Sequence, residues 1–289
     1  FKFFLGKTHT TMLITFDQKE YEKLDDNSYR LEKRRLQIEL LKLQEDVIKN
    51  NRKVCIVFEG RDTAGKSSAS KFFTQYLIPK NFSYVNLGIP SEWESSHWFE
   101  RWEKVIPKAK EISFLDRSWY TRALTEPVMG YCSERQYRDF MQEVLSWELK
   151  LQKDGVELIK FYFSITKDQQ KKRMKARKRS KLKYWKTSEN DEQMVTKWDA
   201  FTLYKEQMFE KTAVSFSPWV VINANNKMIA RLTALRFLLN QMNYDYKKLL
   251  KPVTWTRNVD YYNVTIEGVR FTRLSYEQYK VLSRYSDDD

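Results

Sequence analysis

The stretch Val54-Cys55-Ile56-Val57-Phe58-Glu59-Gly60-Arg61-Asp62-Thr63-Ala64-Gly65-Lys66-Ser67 decides how the rest of the chain is read. Its five leading apolar residues, rich in β-branched types, read as a buried parallel strand. Gly60 to Ser67 then fits the phosphate-loop pattern G-x-x-x-x-G-K-S/T, and Ser67-Ser68-Ala69-Ser70-Lys71-Phe72-Phe73 can start a helix. A glycine-bearing loop between strand and helix turns backbone N–H groups toward one point, where the helix dipole also favours negative charge. Gly60, Ala64, Gly65, Lys66, Ser67, Ser68 and Lys71 are the candidate phosphate-binding residues of this element. Lys66 adds a mobile cation, and the Ser67 hydroxyl is placed to reach a metal ion. A chance match in an ordinary turn is the alternative, and both flanks speak against it.

Composition narrows the partners. The 289 residues are 42% hydrophobic and 15% aromatic, enough for a sizeable core and against general disorder. Cys55 and Cys132 are the only cysteines, which read as thiols in a reducing, cytoplasmic setting. No apolar run approaches the ~20 residues a membrane span needs. The formal charge of +14 points to a polyanionic partner. Its distribution is one-sided, with eleven Lys/Arg and one acidic residue, Asp168, from Lys167 to Lys186. A solvated helix face usually mixes both signs.

Beyond the first strand, Tyr84–Leu87, Ile112–Leu115, Leu158–Ile165 and Trp219–Ile222 read as strands. Helical patterns cover Tyr29–Asn50, Ser95–Lys104, Glu134–Lys153, Lys167–Arg179, Asp191–Lys211 and Lys227–Met242. Strands alternating with helices imply a parallel sheet with helices on both faces. With the phosphate loop after the first strand, the expected fold is a P-loop kinase-like, three-layer α/β/α sandwich carrying a basic helical lid. The expected organisation is an extension over residues 1–28, a kinase domain over 29–246 with its lid at about 167–190, and a tail over 247–289. Within that tail, Glu267-Gly268 suggests a turn, and the tail either forms a hairpin or wraps a neighbouring subunit.

Two further elements carry chemistry. An apolar strand ending at Asp116 puts a carboxylate at the sheet edge, where it either holds Mg²⁺ or caps a turn. Arg117 follows at the same rim and suits bidentate phosphate binding. Gln170, Arg173 and Arg177 share one helix face, and the two arginines could grip successive phosphates beneath a closing lid. Asp62 is unusual in a phosphate loop, because an anion repels the ligand. It either holds a cation or proton there, or stabilises an Asx-type turn. Trp185 is the best candidate to stack on a base. His9 and His97 lack metal-ligand spacing.

Taken together, these residues resemble the family 2 polyphosphate kinases, from roughly Leu31 to Tyr244. The resemblance rests on Glu59–Lys66, Pro90-Ser91-Glu92-Trp93-Glu94, Trp98-Phe99-Glu100-Arg101-Trp102, Leu115–Tyr120, Val128–Cys132, Phe163-Ser164-Ile165, the Gln170/Arg173/Arg177 face, Trp185–Asp191 and Pro218–Ile222. It implies that Asp62 positions phosphate and metal, Lys66 cradles phosphates and Asp116 supports Mg²⁺, with Mn²⁺ as an alternative. It also implies that Arg117, Arg173 and Arg177 clamp the phosphoryl group and that Glu126 lies near the metal. Expected partners are inorganic polyphosphate, a nucleoside diphosphate or triphosphate (a monophosphate as runner-up) and further copies of the chain, as a tetramer of two dimers. Nucleic acid and membrane are not expected partners. The alternatives are a polyphosphate:AMP phosphotransferase, an ATP-dependent P-loop kinase and a nucleic-acid-binding NTPase. Asn225-Asn226 departs from a pair that is commonly acidic in the family.

Overall fold

The strand at the centre of the sheet is buried on both faces, and its side chains feed two separate cores. In the computed structural model, which describes residues 12–15, 21, 24–182, 184, 193, 195–248, 250, 262–274 and 276–287, this strand is β2 (Lys53–Gly60). Val54, Ile56 and Phe58 point into one apolar layer with Leu36, Leu40, Phe73 and Leu235. Cys55 and Val57 point into the other with Trp119, Val144, Phe201 and Trp219. This alternation is the period of two expected of an extended chain, and burial on both sides explains the unbroken apolar run.

Six parallel strands form the sheet: β1 (Leu13–Thr15), β2, β3 (Phe82–Val85), β4 (Glu111–Asp116), β5 (Val156–Ser164) and β6 (Trp219–Asn223), in the spatial order β1-β6-β5-β2-β4-β3. Helices α1 (Asp26–Lys49) and α2 (Lys66–Thr74) lie on one face, and the short α3 (Glu92–Ser96), α4 (Trp98–Glu103) and α5 (Thr125–Met129) follow in sequence. The longer helices are α6 (Glu134–Lys153), α7 (Lys167–Arg179), α8 (Trp198–Thr212) and α9 (Lys227–Gln241). The chain leaves β2 toward β3 and β4 on one side, then crosses to β5 on the other. That reversal leaves a crevice at the carboxyl ends of β2 and β4, where open α/β sheets bind ligands.

The expected three-layer α/β fold is therefore the observed one. Differences are local. The strand expected at Tyr84–Leu87 ends at Val85 because Asn86 and Leu87 leave the sheet to line a cavity. The helix expected over Ser95–Lys104 breaks at His97, whose ψ of 60° interrupts the spiral. Strand β1 was not expected, since three residues carry too little pattern. Residues 1–250 and 251–289 form two compact units. The second holds an antiparallel hairpin, β7 (Tyr262–Ile266) and β8 (Val269–Leu274), joined at Glu267-Gly268, followed by α10 (Tyr276–Leu282).

Candidate active site

Gly60 closes β2 at φ 137°, and a Cβ there would sit 2.4 Å from the Phe163 carbonyl oxygen on the neighbouring strand. Only glycine permits that approach. The next turns are held by side chains gripping backbone oxygens. Lys66 Nζ donates to the carbonyls of Gly60 (2.7 Å) and Arg61 (3.1 Å). Gln170 Nε2 donates to Asp62 O at 3.2 Å, and Arg173 Nη1 to both Thr63 O and Ala64 O at 3.1 Å. Five consecutive carbonyls, 60 to 64, are thus fixed. In a trans peptide the following N–H points opposite its carbonyl, so these grips turn the loop amides to the other side, except Ala64 N, which donates to Arg61 O at 3.1 Å. Helix α2 adds its own: its N-cap is Gly65 at φ 115° with no side-chain cap. By contrast α1, α6, α7 and α9 are capped by Asp25, Ser133, Thr166 and Asn226. The uncapped amides of α2 are the natural seat of an anion.

Asp62 and Arg117 face each other across this loop at 2.5 Å, with side chains 10% and 34% exposed. Burial alone would raise the Asp62 carboxyl, but Arg117, Lys66 and Arg177 outweigh it and hold it below the usual carboxylate range. Burial and then Arg117 depress the Lys66 ammonium, against the pull of Asp62, Asp116 and Glu59. Arg117 sits at φ 73°, a costly conformation for a non-glycine residue. What compels it is visible on both sides: Arg117 N donates to Phe58 O at 3.1 Å, and buried Glu59 accepts from Ser118 N (2.7 Å) and Ser118 Oγ (2.9 Å). Glu59 carries its own penalty, since burial pushes its carboxyl up. The clamp aims the Arg117 guanidinium at Asp62 and Thr125 Oγ1.

Asp116 ends β4 in register with Phe58, buried, with Oδ2 accepting from the Tyr84 hydroxyl at 2.8 Å. Tyr84 also lies against Asn86 and Ser67, and burial followed by the Asp116 charge raises its phenol to about 12. It therefore spans two of the expected metal-binding residues. Carboxylate and hydroxyl oxygens, completed by phosphate oxygens, suit a hard cation. No group of three or more His, Cys, Asp or Glu gathers among the described residues, so protein ligands alone do not build a cage. Glu126, expected near the metal, faces an arginine: its Oε2 lies 2.6 Å from Arg122 Nε, and burial raises its carboxyl to about 7.

Asp62, Asp116, Arg117 and Glu126 all border one cavity of about 710 Å³, walled also by Asn86 to Glu92, Trp98, Arg101 and Tyr131. Other expected residues are placed differently. Arg173 is buried, and its second nitrogen donates to Ala224 O (2.6 Å) and Asn225 O (2.9 Å), so its donors support loops in this state. Gln170 does likewise from the same helix face. Arg177 is half-buried and its charge bears on Asp62. Ser68 Oγ donates to Gly65 O, and Lys71 is exposed in the last turn of α2. The Asn225-Asn226 departure has a structural use, since Asn225 Oδ1 accepts from Thr166 N and Asn226 caps α9. Trp185 and the rest of the 185–191 motif lie outside the described residues.

Sequence reasoning missed Glu59, Tyr84 and Arg61. Glu59 and Arg61 stand inside the decisive stretch, yet a charge beside a phosphate loop does not announce which way it points. Arg61 points away from the loop mouth, onto the Trp198 ring at 3.5 Å.

Comparisons with known proteins agree with one another. The family model of polyphosphate kinase 2 (PPK2) matches residues 23–250. A GDP-polyphosphate phosphotransferase of Mycolicibacterium smegmatis is 40% identical over 227 residues, 78% of this chain and 80% of that protein. An ADP-polyphosphate phosphotransferase of Pseudomonas aeruginosa is 41% identical over 223 residues, 77% of this chain and 73% of that one. Among solved structures, polyphosphate kinase 2 from Arthrobacter aurescens superposes with a TM-score of 0.73 at 26% identity, covering 82% of this chain and 88% of that chain.

Proposed function

The chain belongs to the polyphosphate kinase 2 family, and from that premise we propose that it moves the terminal phosphate between inorganic polyphosphate and a nucleoside diphosphate, ADP or GDP. One observation carries this reading: Asp62, Asp116 and Arg117 converge where β2 and β4 end, at the wall of a cavity of about 710 Å³, and the Lys66 charge bears on all three. That volume lies within the range of small-molecule sites. Polymer phosphates suit the loop amides and Lys66, and the acceptor suits the cavity.

In the forward direction an oxygen of the acceptor's terminal phosphate forms a bond to the end phosphorus of the polymer. The bridging oxygen to the next unit keeps the electron pair of the broken P–O bond, and the polymer leaves one unit shorter. The attacking oxygen is already anionic, so no general base is needed. Catalysis then reduces to alignment and charge neutralisation over a loose transition state. Arg117, held by Asp62, and Lys66 supply fixed positive charge beside the reacting phosphates, with Arg177 adding to the field. Asp116 and the Ser67 hydroxyl, with Asp62 nearby, would hold Mg²⁺ or Mn²⁺, which when bound neutralises phosphate oxygens. The exposed lysines of α7, Lys171, Lys172 and Lys175, give the approach a basic surface for a polyanion. Among the described residues no helix is long and apolar enough to cross a membrane. A cytoplasmic homotetramer is the assembly this reading carries, checked by light scattering.

The test uses the purified chain, Mg²⁺, one of ADP, GDP or AMP, and polyphosphate as sole donor, with chromatography of the nucleotides. New ATP or GTP is the expected result, and ADP from AMP alone would reassign the acceptor. Product formed only when ATP is supplied, or hydrolysis stimulated by RNA or DNA, would overturn the reading.

A further inference from the structure

Arg61 lies between Gly60 and Asp62, so an arginine of the phosphate loop would be expected to meet phosphate. Instead it is buried with its guanidinium 3.5 Å above the Trp198 ring and 4.4 Å from that of Phe201. One nitrogen, Nη2, donates to Thr202 Oγ1 at 2.6 Å and Trp198 O at 3.1 Å. All three partners sit in the first turns of α8, the helix that follows the basic segment. Among the described residues its other terminal nitrogen, Nη1, is buried without a hydrogen-bond partner and no carboxylate forms an ion pair with the guanidinium, although the Asp199 charge bears on it. Burying a cation this way works against stability, so packing alone is a poor reason to keep it.

The main chain of Arg61 is fixed as well. Its carbonyl accepts from Lys66 Nζ and from Ala64 N, both at 3.1 Å. Residues 61 to 64 are therefore seized from two directions. Gln170 and Arg173 reach in from α7, which lies within the basic segment, and Arg61 reaches out to α8. Asp62, whose carboxylate orients Arg117, stands between the two grips.

We propose that Arg61 is a positioning residue for phosphoryl transfer, locking the phosphate loop and Asp62 in register with α8. This rests on the polyphosphate reading above. A polyphosphate end binds chiefly through the loop amides, Lys66 and the basic surface, none of which the Arg61 side chain supplies. Its loss therefore misplaces groups that already hold their ligand, an error that alignment-driven catalysis punishes severely.

The experiment compares wild type with Arg61→Met, Arg61→Lys and Thr202→Val, measuring kcat, KM for polyphosphate and the Kd of tripolyphosphate. Arg61→Met keeps the volume and loses the fork, and its kcat is expected to fall about 100-fold. Arg61→Lys restores charge without the planar fork and should recover only part, with kcat about tenfold below wild type. Thr202→Val, which leaves the loop sequence intact, should lower kcat about threefold, as expected for loss of one hydrogen bond. Tripolyphosphate affinity should stay within about threefold of wild type throughout. The inference is overturned if kcat stays within twofold in Arg61→Lys and Thr202→Val, which decide the matter should Arg61→Met fail to fold. It is equally overturned if affinity falls in step with kcat. Failure of the wild type to use polyphosphate would instead sink the functional reading, and leaves these two results distinct.

Discussion

Two carboxylate–cation pairs lie in the same part of this molecule and are treated in opposite ways. Glu148 and Lys160 are wholly buried at 3.0 Å, and nearly every valence is used. Glu148 accepts from Trp119 Nε1 (3.0 Å) and Ser217 Oγ (2.7 Å), while Lys160 also donates to the Tyr120 hydroxyl (2.9 Å) and rests over the Tyr120 and Trp219 rings. Asp62 and Arg117 are closer together and border the cavity, Arg117 about a third exposed, and Arg117 is held in a left-handed conformation. The first pair anchors the Trp119-Tyr120 segment directly behind Asp116 and Arg117. The second is arranged so that a phosphate can enter its field. Satisfied charges build the frame here, and incompletely enclosed ones do the chemistry.

Breaking the inner pair should have the largest effect. Lys160→Met strands Glu148 without its cation and should cost about 3–5 kcal/mol of stability by urea unfolding. Adding Glu148→Leu should return much of that, since removing both charges is far cheaper than removing one. Breaking the outer site should show the reverse pattern. Lys66→Ala, Asp116→Asn and Arg117→Ala are each expected to lower kcat by at least about 100-fold, roughly 2.7 kcal/mol in barrier. Arg117→Ala should cost less stability than Lys160→Met, because Arg117 is about a third exposed, although it leaves the 10% exposed Asp62 without its nearest cation.

The pair Glu126–Arg122 sharpens the comparison by pH. Burial lifts Glu126 from 4.5 to about 7, so the folded chain binds this proton more tightly than the unfolded one. Its contribution to stability is present below pH 4.5 and is lost as the pH rises toward 7. Melting curves between pH 4.5 and 7 should show Glu126→Gln removing a decline on the order of 2 kcal/mol. Smallest in free energy is the field of α7: raising salt from about 50 to 200 mM should increase the KM for polyphosphate roughly tenfold. Lys172→Gln/Lys175→Gln should make that dependence shallower.

Much of the frame was legible because it is periodic. The run Val54–Phe58 had to be buried on both faces, and Gly60 and Gly65 stand where the backbone requires them. Asp116 was legible because a carboxylate ending an apolar strand beside a phosphate loop has few other places to go. What stayed hidden was direction. Nothing in Lys160 distinguishes an inward lysine from an edge one within Leu158–Ile165, and its partner Glu148 lies on a helix that reads as amphipathic. Arg173 was expected over phosphate, whereas its fork is occupied by four carbonyls, a geometry set by the turns at 63–64 and 224–225. Tyr84 sits at the end of a short strand whose boundary sequence pattern placed two residues late.

Label transfer in a single turnover tests the central claim most directly. With ³²P-labelled polyphosphate, unlabelled ADP or GDP, Mg²⁺ and enzyme in excess over acceptor, the label should appear in the γ-phosphate of ATP or GTP, and Arg117→Ala should slow its appearance without weakening polymer binding. Label that stays in the polymer, while the same preparation consumes ATP as a donor, would contradict the account.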